Sequence, residues 1–242
     1  METDSRIARS RFMDGLLNLL FPSSCPLCLG ASDNRLFNPI CTVCWQGIEK
    51  YDGPACRICG VMVVSKHATI CEECLETRPA FSKVRYYGIY EGTLREAIHL
   101  LKFGGIKRLA KPLAVLAAGV CAHNVDAVVP VPLSKTGLIR RGFNQTAELG
   151  RHIASLLKID MMPDALRKTV ETLPQTEVSG RERLTNVRGA FAASGQLAGM
   201  RVLLVDDVIT TGATVRECSK VLLKAGAAGV TVVAPARSIR RF

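Results

Sequence analysis

The segment from residue 202 to residue 215 constrains the fold of this 242-residue chain more than any other. It begins with a continuous apolar run at 202–205, which is typical of a parallel strand that is covered on both faces. Asp206 and Asp207 follow, and we expect both at the solvent-facing carboxyl end of that strand, where open α/β sheets bind ligands. Two adjacent carboxylates there can accept hydrogen bonds from sugar hydroxyls or hold a hydrated Mg²⁺.

The residues that follow are small and rich in hydroxyl groups: Thr210, Thr211, Gly212, Ala213 and Thr214. Small side chains allow backbone N–H groups to converge on an anion at the start of the next helix. The simpler alternative is an ordinary strand-to-helix turn with a threonine N-cap and surface aspartates. Such a turn needs neither the paired aspartates nor the run of small residues, so the segment favours a phosphate site.

Strand and helix patterns alternate through the chain after residue 80. The expected strands are 84–90, 126–131, 202–205 and 230–234, and the expected helices are 93–103, 107–121, 146–157 and 213–225. This alternation implies a mostly parallel sheet with right-handed crossovers. The predicted organisation is therefore a doubly wound α/β domain at 81–242, preceded by a smaller module at 1–80.

Three further segments carry groups that bind phosphate oxygens. A proline-rich loop presents Ser134 and Lys135, and Arg140 and Arg141 stand just before a glycine and a predicted helix start. The polar and basic stretch at 175–188 is typical of a mobile loop that closes over a substrate. Each segment alone is best explained as a solvated basic loop. Beside the 202–215 segment, we expect all three to converge on one crevice.

Eight of the ten cysteines form four Cys-x-x-Cys pairs within the first 80 residues. They are Cys25, Cys28, Cys41, Cys44, Cys56, Cys59, Cys71 and Cys74. Two such pairs complete a tetrahedral four-thiolate zinc site, which is closed and therefore structural. The intervals between successive pairs are nearly even, and each could carry a short β-hairpin. This spacing favours sequential pairing of the four motifs into two Zn²⁺ sites, and it leaves interleaved pairing open. Cys121 and Cys218 lie in apolar helical surroundings, and we expect them to be buried free thiols.

The formal net charge of +11 is unevenly distributed. Residues 1–80 carry eight basic and nine acidic side chains, whereas residues 81–242 carry twenty-four and twelve. A polyanion should therefore meet the second part first, although the same charge also serves solubility and the binding of one polyphosphate. Aromatic residues make up only 5% of the chain, which argues against a long base-stacking groove.

The sequence also predicts a cellular location. No apolar run reaches the ~18 residues that a transmembrane helix requires. The apolar residues at 16–21 have polar interruptions and no cleavage site after them, which favours an amphipathic helix over a signal peptide. Paired Cys-x-x-Cys motifs without a secretion signal indicate metal ligands in a reducing cytosol, so we expect a cytoplasmic protein.

The 202–215 segment resembles the phosphoribosyl pyrophosphate signature of the type I phosphoribosyltransferases, and the 129–135 loop resembles their pyrophosphate loop. With the cysteine pairs, Lys102, the 141–145 segment and Arg183, the order of motifs resembles the ComF family of competence-associated proteins and the related GntX-type proteins. The resemblance covers nearly the whole chain, from about residue 16 to 234. It implies an N-terminal double zinc ribbon, a type I phosphoribosyltransferase-like sheet flanked by helices, and a link to DNA uptake.

The resemblance also implies roles for individual residues toward 5-phosphoribosyl 1-pyrophosphate. Residues 210–214 would hold its 5′-phosphate, Asp206 and Asp207 its ribose hydroxyls and Mg²⁺, and Ser134 and Lys135 its pyrophosphate. The secondary candidates for neutralising the leaving group are Lys102, Arg141 and Arg183.

Two classes of function remain open from the sequence. The first is a phosphoribosyltransferase that acts on an unknown acceptor by displacement at the anomeric carbon. The second is a catalytically silent protein that binds single-stranded DNA with the same fold. A weaker third interpretation is a scaffold whose ribbon docks a competence or helicase protein.

Overall fold

The computed structural model describes residues 24–32, 39–64, 69–121, 124–170, 187–194 and 197–239. The expected N-terminal helix at 16–21 lies outside these ranges, and so does most of the expected mobile loop, including Arg183. Within the described residues, no helix is both long enough and apolar enough to cross a membrane.

Strands and helices alternate after a cysteine-rich first part. In chain order the elements are α1 (Thr42–Gln46), α2 (Glu72–Glu76), β1 (Lys83–Ile89), α3 (Gly92–Lys102), a 3-10 turn (Lys107–Leu109), α4 (Ala110–Ala118), β2 (Ala127–Pro130), α5 (Lys135–Arg141), α6 (Gln145–Leu157), β3 (Asp160–Met161), β4 (Leu166–Lys168), β5 (Phe191–Ala193), β6 (Arg201–Val205), β7 (Val208–Ile209), α7 (Ala213–Lys224) and β8 (Gly229–Arg237). The strands and helices expected from the sequence are present, with their ends shifted by a few residues.

The main sheet has the strand order β1-β8-β6-β2-β3, and β7 pairs with β8 beyond the end of β6. Its strand pairs are parallel, with Val129 opposite Leu204 and Leu204 opposite Val232, so the predicted parallel sheet is confirmed. The strand β6 is central and buried along 202–205. The carboxyl end of β6 therefore lies between β8 and β2, its two neighbours in the sheet.

Side chains alternate across β6 and build a core on each face of the sheet. Leu203 and Val205 face a core that includes residues of α3, α4 and α6, whereas Val202 and Leu204 face a core that includes residues of α7 and the β4–β5 hairpin. Because helices cover both faces, the domain has the predicted doubly wound arrangement.

The helix α5, the β4–β5 hairpin and the length of β8 differ from the sequence expectation. The proline-rich loop leads directly into α5, because Ser134 Oγ accepts a hydrogen bond from the Gly137 N–H at 3.1 Å and caps the helix. Gly142 ends α5 with a φ of 72°, a left-handed conformation that glycine adopts without strain. The strands β4 and β5 form an antiparallel hairpin, and β8 continues to Arg237 instead of ending at residue 234.

The cysteine-rich part covers the outer edge of β1. The Tyr51 N–H donates to the Tyr87 carbonyl, and the Val84 N–H donates to the Ile58 carbonyl, each at 2.8 Å. Gly88 permits this close approach, because a Cβ there would lie 2.5 Å from the carbonyl oxygen of Glu49. An uncovered edge strand would present unpaired backbone groups, so this packing protects the sheet.

Candidate functional site

A crevice of about 650 Å³ opens at the carboxyl edge of the sheet. Asp206 and Asp207 line it at the end of β6, together with Thr210 and Thr214 at the start of α7. The turn that contains Ser134 and the helix α5 also contribute to its lining. The fold therefore brings together two segments, 206–214 and 134–141, that are widely separated in the sequence.

Asp207 is almost fully buried in this crevice, with 4% of its surface exposed. Its carboxylate accepts hydrogen bonds from Lys102 Nζ at 3.0 Å and from Gln145 Nε2 at 2.7 Å. Burial by itself would raise the pKa of Asp207, but the Lys102 cation and these hydrogen bonds hold the pKa below its ordinary value. The expectation that both aspartates face solvent is therefore wrong for Asp207, because Lys102 and Gln145 pack over its carboxylate.

Asp206 is half-buried and has a different environment. Its Oδ1 accepts a hydrogen bond from the Asp207 N–H at 2.8 Å. Burial and the negative charge of Asp207 raise the pKa of Asp206 to about 7, against the opposing effects of Lys102 and Arg141. The adjacent carboxylates thus differ: Asp207 is an ionised, paired group, whereas Asp206 titrates near neutral pH.

The small-residue segment divides into two parts. Thr210 and Thr214 line the crevice. Thr211 Oγ1 instead accepts a hydrogen bond from the Ala213 N–H at 3.3 Å, which satisfies one N–H of the first turn of α7. Gly212 takes a φ of 80° and lets the chain turn into that helix. Two of the predicted residues therefore face the crevice, and the other three form the turn.

The helix α5 contributes the basic side of the crevice. Arg140 and Arg141 both line it, whereas Lys135 is exposed and lies outside the lining. The structure therefore does not bring Lys135 to the predicted pyrophosphate position, because the expected loop at this point is the first turn of a helix. The Arg141 guanidinium lies 5.2 Å from the centre of the Phe103 ring. Burial lowers the pKa of Arg141, and the charge of Asp207 opposes that effect.

Sequence reasoning missed several residues of the lining. They are Tyr90, Phe103, Gln145, Lys168 and Phe191. Val187 also lines the crevice, and it belongs to the 175–188 stretch that was expected there. The aromatic and apolar members have no spacing or motif that separates them from ordinary core residues. Gln145 had a usable signal, because Asn144 is a preferred N-cap residue and its side chain accepts a hydrogen bond from the Thr146 N–H. That cap makes Gln145 the first residue of α6.

The eight clustered cysteines form two separate groups. The sulfur atoms within each group lie within 4.8 Å of one another, and the groups are Cys25, Cys28, Cys41 and Cys44, then Cys56, Cys59, Cys71 and Cys74. The sequential pairing is therefore confirmed over the interleaved one. The Sγ–Sγ distances of 3.6 Å for Cys28–Cys41 and 3.5 Å for Cys59–Cys71 are near the ~3.8 Å edge of a zinc tetrahedron with ~2.3 Å Zn–S bonds. The donor set thus fits two closed zinc sites.

The second half of each cysteine group is helical. Cys41 is the N-cap of α1 and its Sγ accepts from the Cys44 N–H at 3.5 Å. Cys71 is the N-cap of α2, but its side chain makes no capping hydrogen bond. An antiparallel bridge closes the first knuckle of each group, Ser24–Ala31 and Ala55–Met62. Two of the three intervals in which β-hairpins were expected include residues outside the described ranges.

Backbone N–H groups favour the thiolate form of one cysteine in each group. Burial would raise the pKa of Cys25 and Cys56, but neighbouring N–H groups outweigh it and lower the pKa of each to about 7. In the same groups, burial raises the pKa of Cys74 to about 11 and also raises the pKa of Cys44 and Cys59. Burial likewise raises the pKa of Cys121 to about 12 and that of Cys218 well above its ordinary value. Cys218 is fully buried as predicted, whereas Cys121 is only partly buried.

A doubly wound sheet with this carboxyl-edge crevice, preceded by two four-cysteine groups, defines a phosphoribosyltransferase-like protein with a double zinc ribbon. Comparison with protein families agrees with this class. Residues 16–75 match the double zinc ribbon domain, and residues 147–241 match the phosphoribosyl transferase domain.

Similar proteins cover most of the chain. DNA utilization protein YhgH of Escherichia coli K12 is 32% identical over 201 residues, which are 80% of this chain and 88% of that protein. Competence protein F of Haemophilus influenzae is 32% identical over 212 residues, which are 83% of this chain and 91% of that protein. The chain therefore belongs to the ComF family of competence-associated phosphoribosyltransferase-like proteins. A solved glutamine phosphoribosylpyrophosphate amidotransferase of Bacillus subtilis is 28% identical over 51% of this chain and 25% of that chain, with a TM-score of 0.37.

Proposed function

We propose that this protein binds 5-phosphoribosyl 1-pyrophosphate together with Mg²⁺ in the carboxyl-edge crevice. One observation carries the proposal: Asp206 and Asp207 lie in the same crevice as Thr210 and Thr214. A ribose phosphate requires carboxylates for its hydroxyls and a phosphate-binding helix start a few ångströms away, and this arrangement supplies both. The volume of about 650 Å³ is in the ordinary range for a small-molecule site.

Each part of the donor has a proposed place. The 5′-phosphate would lie against Thr210 and Thr214, where the N-terminus of α7 favours an anion. The ribose hydroxyls would contact Asp206, the less buried of the two carboxylates. When bound, Mg²⁺ would supply positive charge to the pyrophosphate, and Asp206 would hold it through its carboxylate oxygens or coordinated waters.

The basic side of the crevice would receive the pyrophosphate. Ser134, Arg140 and Arg141 line this side, and Lys102 lines the same crevice with its ammonium 3.0 Å from Asp207 Oδ1. Guanidinium groups bind phosphate oxygens with paired hydrogen bonds, which suits Arg140 and Arg141 to a doubly charged leaving group.

Transfer to an acceptor is the second part of the proposal. The acceptor atom would form a bond to the anomeric carbon while the bond from that carbon to the pyrophosphate oxygen breaks, and the pyrophosphate would leave with the electron pair. Arg141 and Lys102 would stabilise the negative charge that develops on the departing oxygen.

Isothermal titration of the zinc-loaded protein with the donor, with and without Mg²⁺, tests the binding proposal. We expect Mg²⁺-dependent binding that falls at least about tenfold, or about 1.4 kcal/mol, in Asp206→Asn. The matched control is Asp126→Asn, since Asp126 is exposed, pairs with Arg201 and lies before β2 at the other edge of the sheet. Absence of donor binding to the wild-type protein would refute the proposal. Pyrophosphate release measured against a panel of bases and nucleic acids then tests transfer.

A second candidate function is the binding of single-stranded DNA. Phe103 is 54% exposed at the crevice and carries the Arg141 guanidinium on its ring, while the Lys107 ammonium lies 4.9 Å from the centre of the Phe143 ring. The half-buried Arg141 and the exposed Lys107 supply cations for phosphates, and the exposed Phe103 ring offers a surface on which a base could stack, whereas Phe143 is buried. The names of the relatives, for DNA utilization and competence, support a role of this kind in DNA uptake or handling.

Salt-dependent binding of a labelled oligonucleotide separates the two candidates. If this surface binds DNA, Arg140→Ala should flatten the slope of log affinity against log salt by about one unit, and Phe103→Ala should weaken binding without changing the slope. Arg151→Ala is the control, because Arg151 is exposed and pairs with Glu148 on α6. A steep salt slope without donor affinity would favour the DNA-binding candidate. Docking of a competence or helicase protein on the ribbon, and a cytoplasmic location, stay predictions.

A further inference from the structure

The second zinc centre, formed by Cys56, Cys59, Cys71 and Cys74, contacts the α/β domain through Arg216. This arginine lies in the first turn of α7, and its Nη2 is 3.8 Å from Cys74 Sγ and 3.1 Å from Glu73 Oε1. Its Nη1 donates to the Thr77 carbonyl at 3.4 Å. The backbone N–H of Arg216 donates to the Gly212 carbonyl at 2.9 Å. Arg216 thus joins the zinc-binding part to the turn that follows Thr210.

A second arginine makes the corresponding link on the other side of that turn. Arg237 in β8 is buried, and its Nη1 donates to the Cys59 carbonyl at 2.7 Å. Arg237 pairs with Ile209 in β7, and the Ser238 N–H donates to the Ile209 carbonyl at 2.9 Å. Ile209 directly precedes Thr210. The same zinc centre is therefore linked to both ends of the 209–216 segment.

Electrostatics makes these links depend on the metal. Four thiolates around one Zn²⁺ carry a net charge of −2, and guanidinium groups stabilise such a charge strongly where water is largely excluded. Without zinc the four cysteines lose their common anchor, so the Cys74 Sγ and the Cys59 carbonyl that the two arginines contact are no longer held in place. The first centre has different surroundings, since Cys25 and Cys41 pack within the core on the opposite face of the sheet.

We propose that Arg216 and Arg237 are positioning residues through which the second zinc centre fixes the geometry of residues 209–216. The inference rests on the proposed function for the ligand of this segment, whereas the mechanical coupling is measurable without any ligand. A consequence is that loss of zinc from the second centre loosens the crevice, whereas loss of zinc from the first centre does not.

Amide hydrogen exchange of the full-length, zinc-loaded protein tests the coupling. We expect Arg216→Gln to speed exchange at residues 209–216 by about tenfold, because the segment opens locally more often, and to leave β6 and α6 unchanged. Arg216→Lys, which keeps the charge, should restore most of the protection. Lys220→Gln is the matched control, because Lys220 lies one turn further along the same helix and pairs with Glu217 instead.

A second arm compares the two zinc centres directly. Cys74→Ser should speed exchange at 209–216, and Cys44→Ser should not, with zinc content measured for each. Unchanged exchange at 209–216 in Arg216→Gln, a rise spread evenly over the domain, or equal effects of the two cysteine variants would overturn the inference. Donor titration is read separately: failure of the wild-type protein to bind the donor refutes the proposed function and leaves the exchange result standing.

Discussion

Lys102 and Asp207 form an ion pair of 2.9 Å in the crevice, although they lie 105 residues apart in the chain. The side chains are 21% and 5% exposed. Because the pair is largely removed from water, its attraction is stronger than that of a surface pair, and removal of one partner leaves an uncompensated charge. The pair therefore ties the end of α3 to the centre of the sheet and holds a cation beside the proposed donor site.

Replacing Lys102 with glutamine should destabilise the fold. We expect the free energy of unfolding to fall by about 3 kcal/mol, the lower end for breaking a buried pair, because Lys102 keeps partial contact with water. Urea unfolding followed by circular dichroism measures the change. Lys50→Gln is the control, since Lys50 and Asp52 form a 2.7 Å pair on the exposed surface, where solvent screens the attraction and the loss of stability should be much smaller. Equal effects of the two variants would contradict the ion-pair argument.

Asp206 should make stability depend on pH. Its pKa is raised from the ordinary 3.8 to about 7 in the folded chain. Between these values the folded state holds a proton that the unfolded state has lost, so the contribution of Asp206 to stability decreases as the pH rises from 3.8 to about 7. Urea unfolding at several pH values measures the slope. Asp206→Asn should remove this component of the slope, and an identical pH profile in the variant would show that another group titrates.

Donor binding should depend on pH with the opposite sign. Only the ionised form of Asp206 can bind metal or accept two hydrogen bonds from the ribose. Affinity should therefore rise with pH up to about 7, by at most about tenfold per pH unit, and level off above it. Titration calorimetry in buffers of different ionisation enthalpy would also show about one proton released per donor bound at pH 6. A flat profile for the wild-type protein would contradict this assignment.

The sequence predicted the parts of this fold that depend on local patterns. The apolar run at 202–205 and the Cys-x-x-Cys spacing each express one physical requirement, burial on both faces or a metal knuckle, within a few residues. The pairing of Lys102 with Asp207 depends on how α3 packs, which no local pattern encodes. The position of Lys135 depends on a helix of seven residues that a proline-rich sequence did not indicate. These contacts arise from tertiary packing, so they become visible only in the structure.

The zinc sites give a prediction on metal content. The purified protein should hold close to two Zn²⁺ per chain, because each group of four thiols fits one closed tetrahedral site. Cys44→Ser and Cys74→Ser should each retain about one, since the two groups share no ligand. Metal analysis together with a thiol count after chelation measures this. One zinc in the wild-type protein, or eight reactive thiols before chelation, would contradict the two-site structure.

Thr211 and Thr214 provide a matched pair for the phosphate assignment. Both are threonines of one turn, but Thr214 lines the crevice, whereas Thr211 Oγ1 accepts the Ala213 N–H. Thr211→Val should remove that bond and lower the free energy of unfolding by about 1 kcal/mol, as loss of a helix-capping hydroxyl does. Thr214→Val should instead weaken donor binding by about 1.5–3 kcal/mol, which is the value of a hydrogen bond to a charged group. Thermal unfolding and donor titration of both variants separate these effects. If Thr211→Val reduced donor affinity as much as Thr214→Val while both stayed equally stable, the 5′-phosphate would lie on the turn itself and not against the crevice wall.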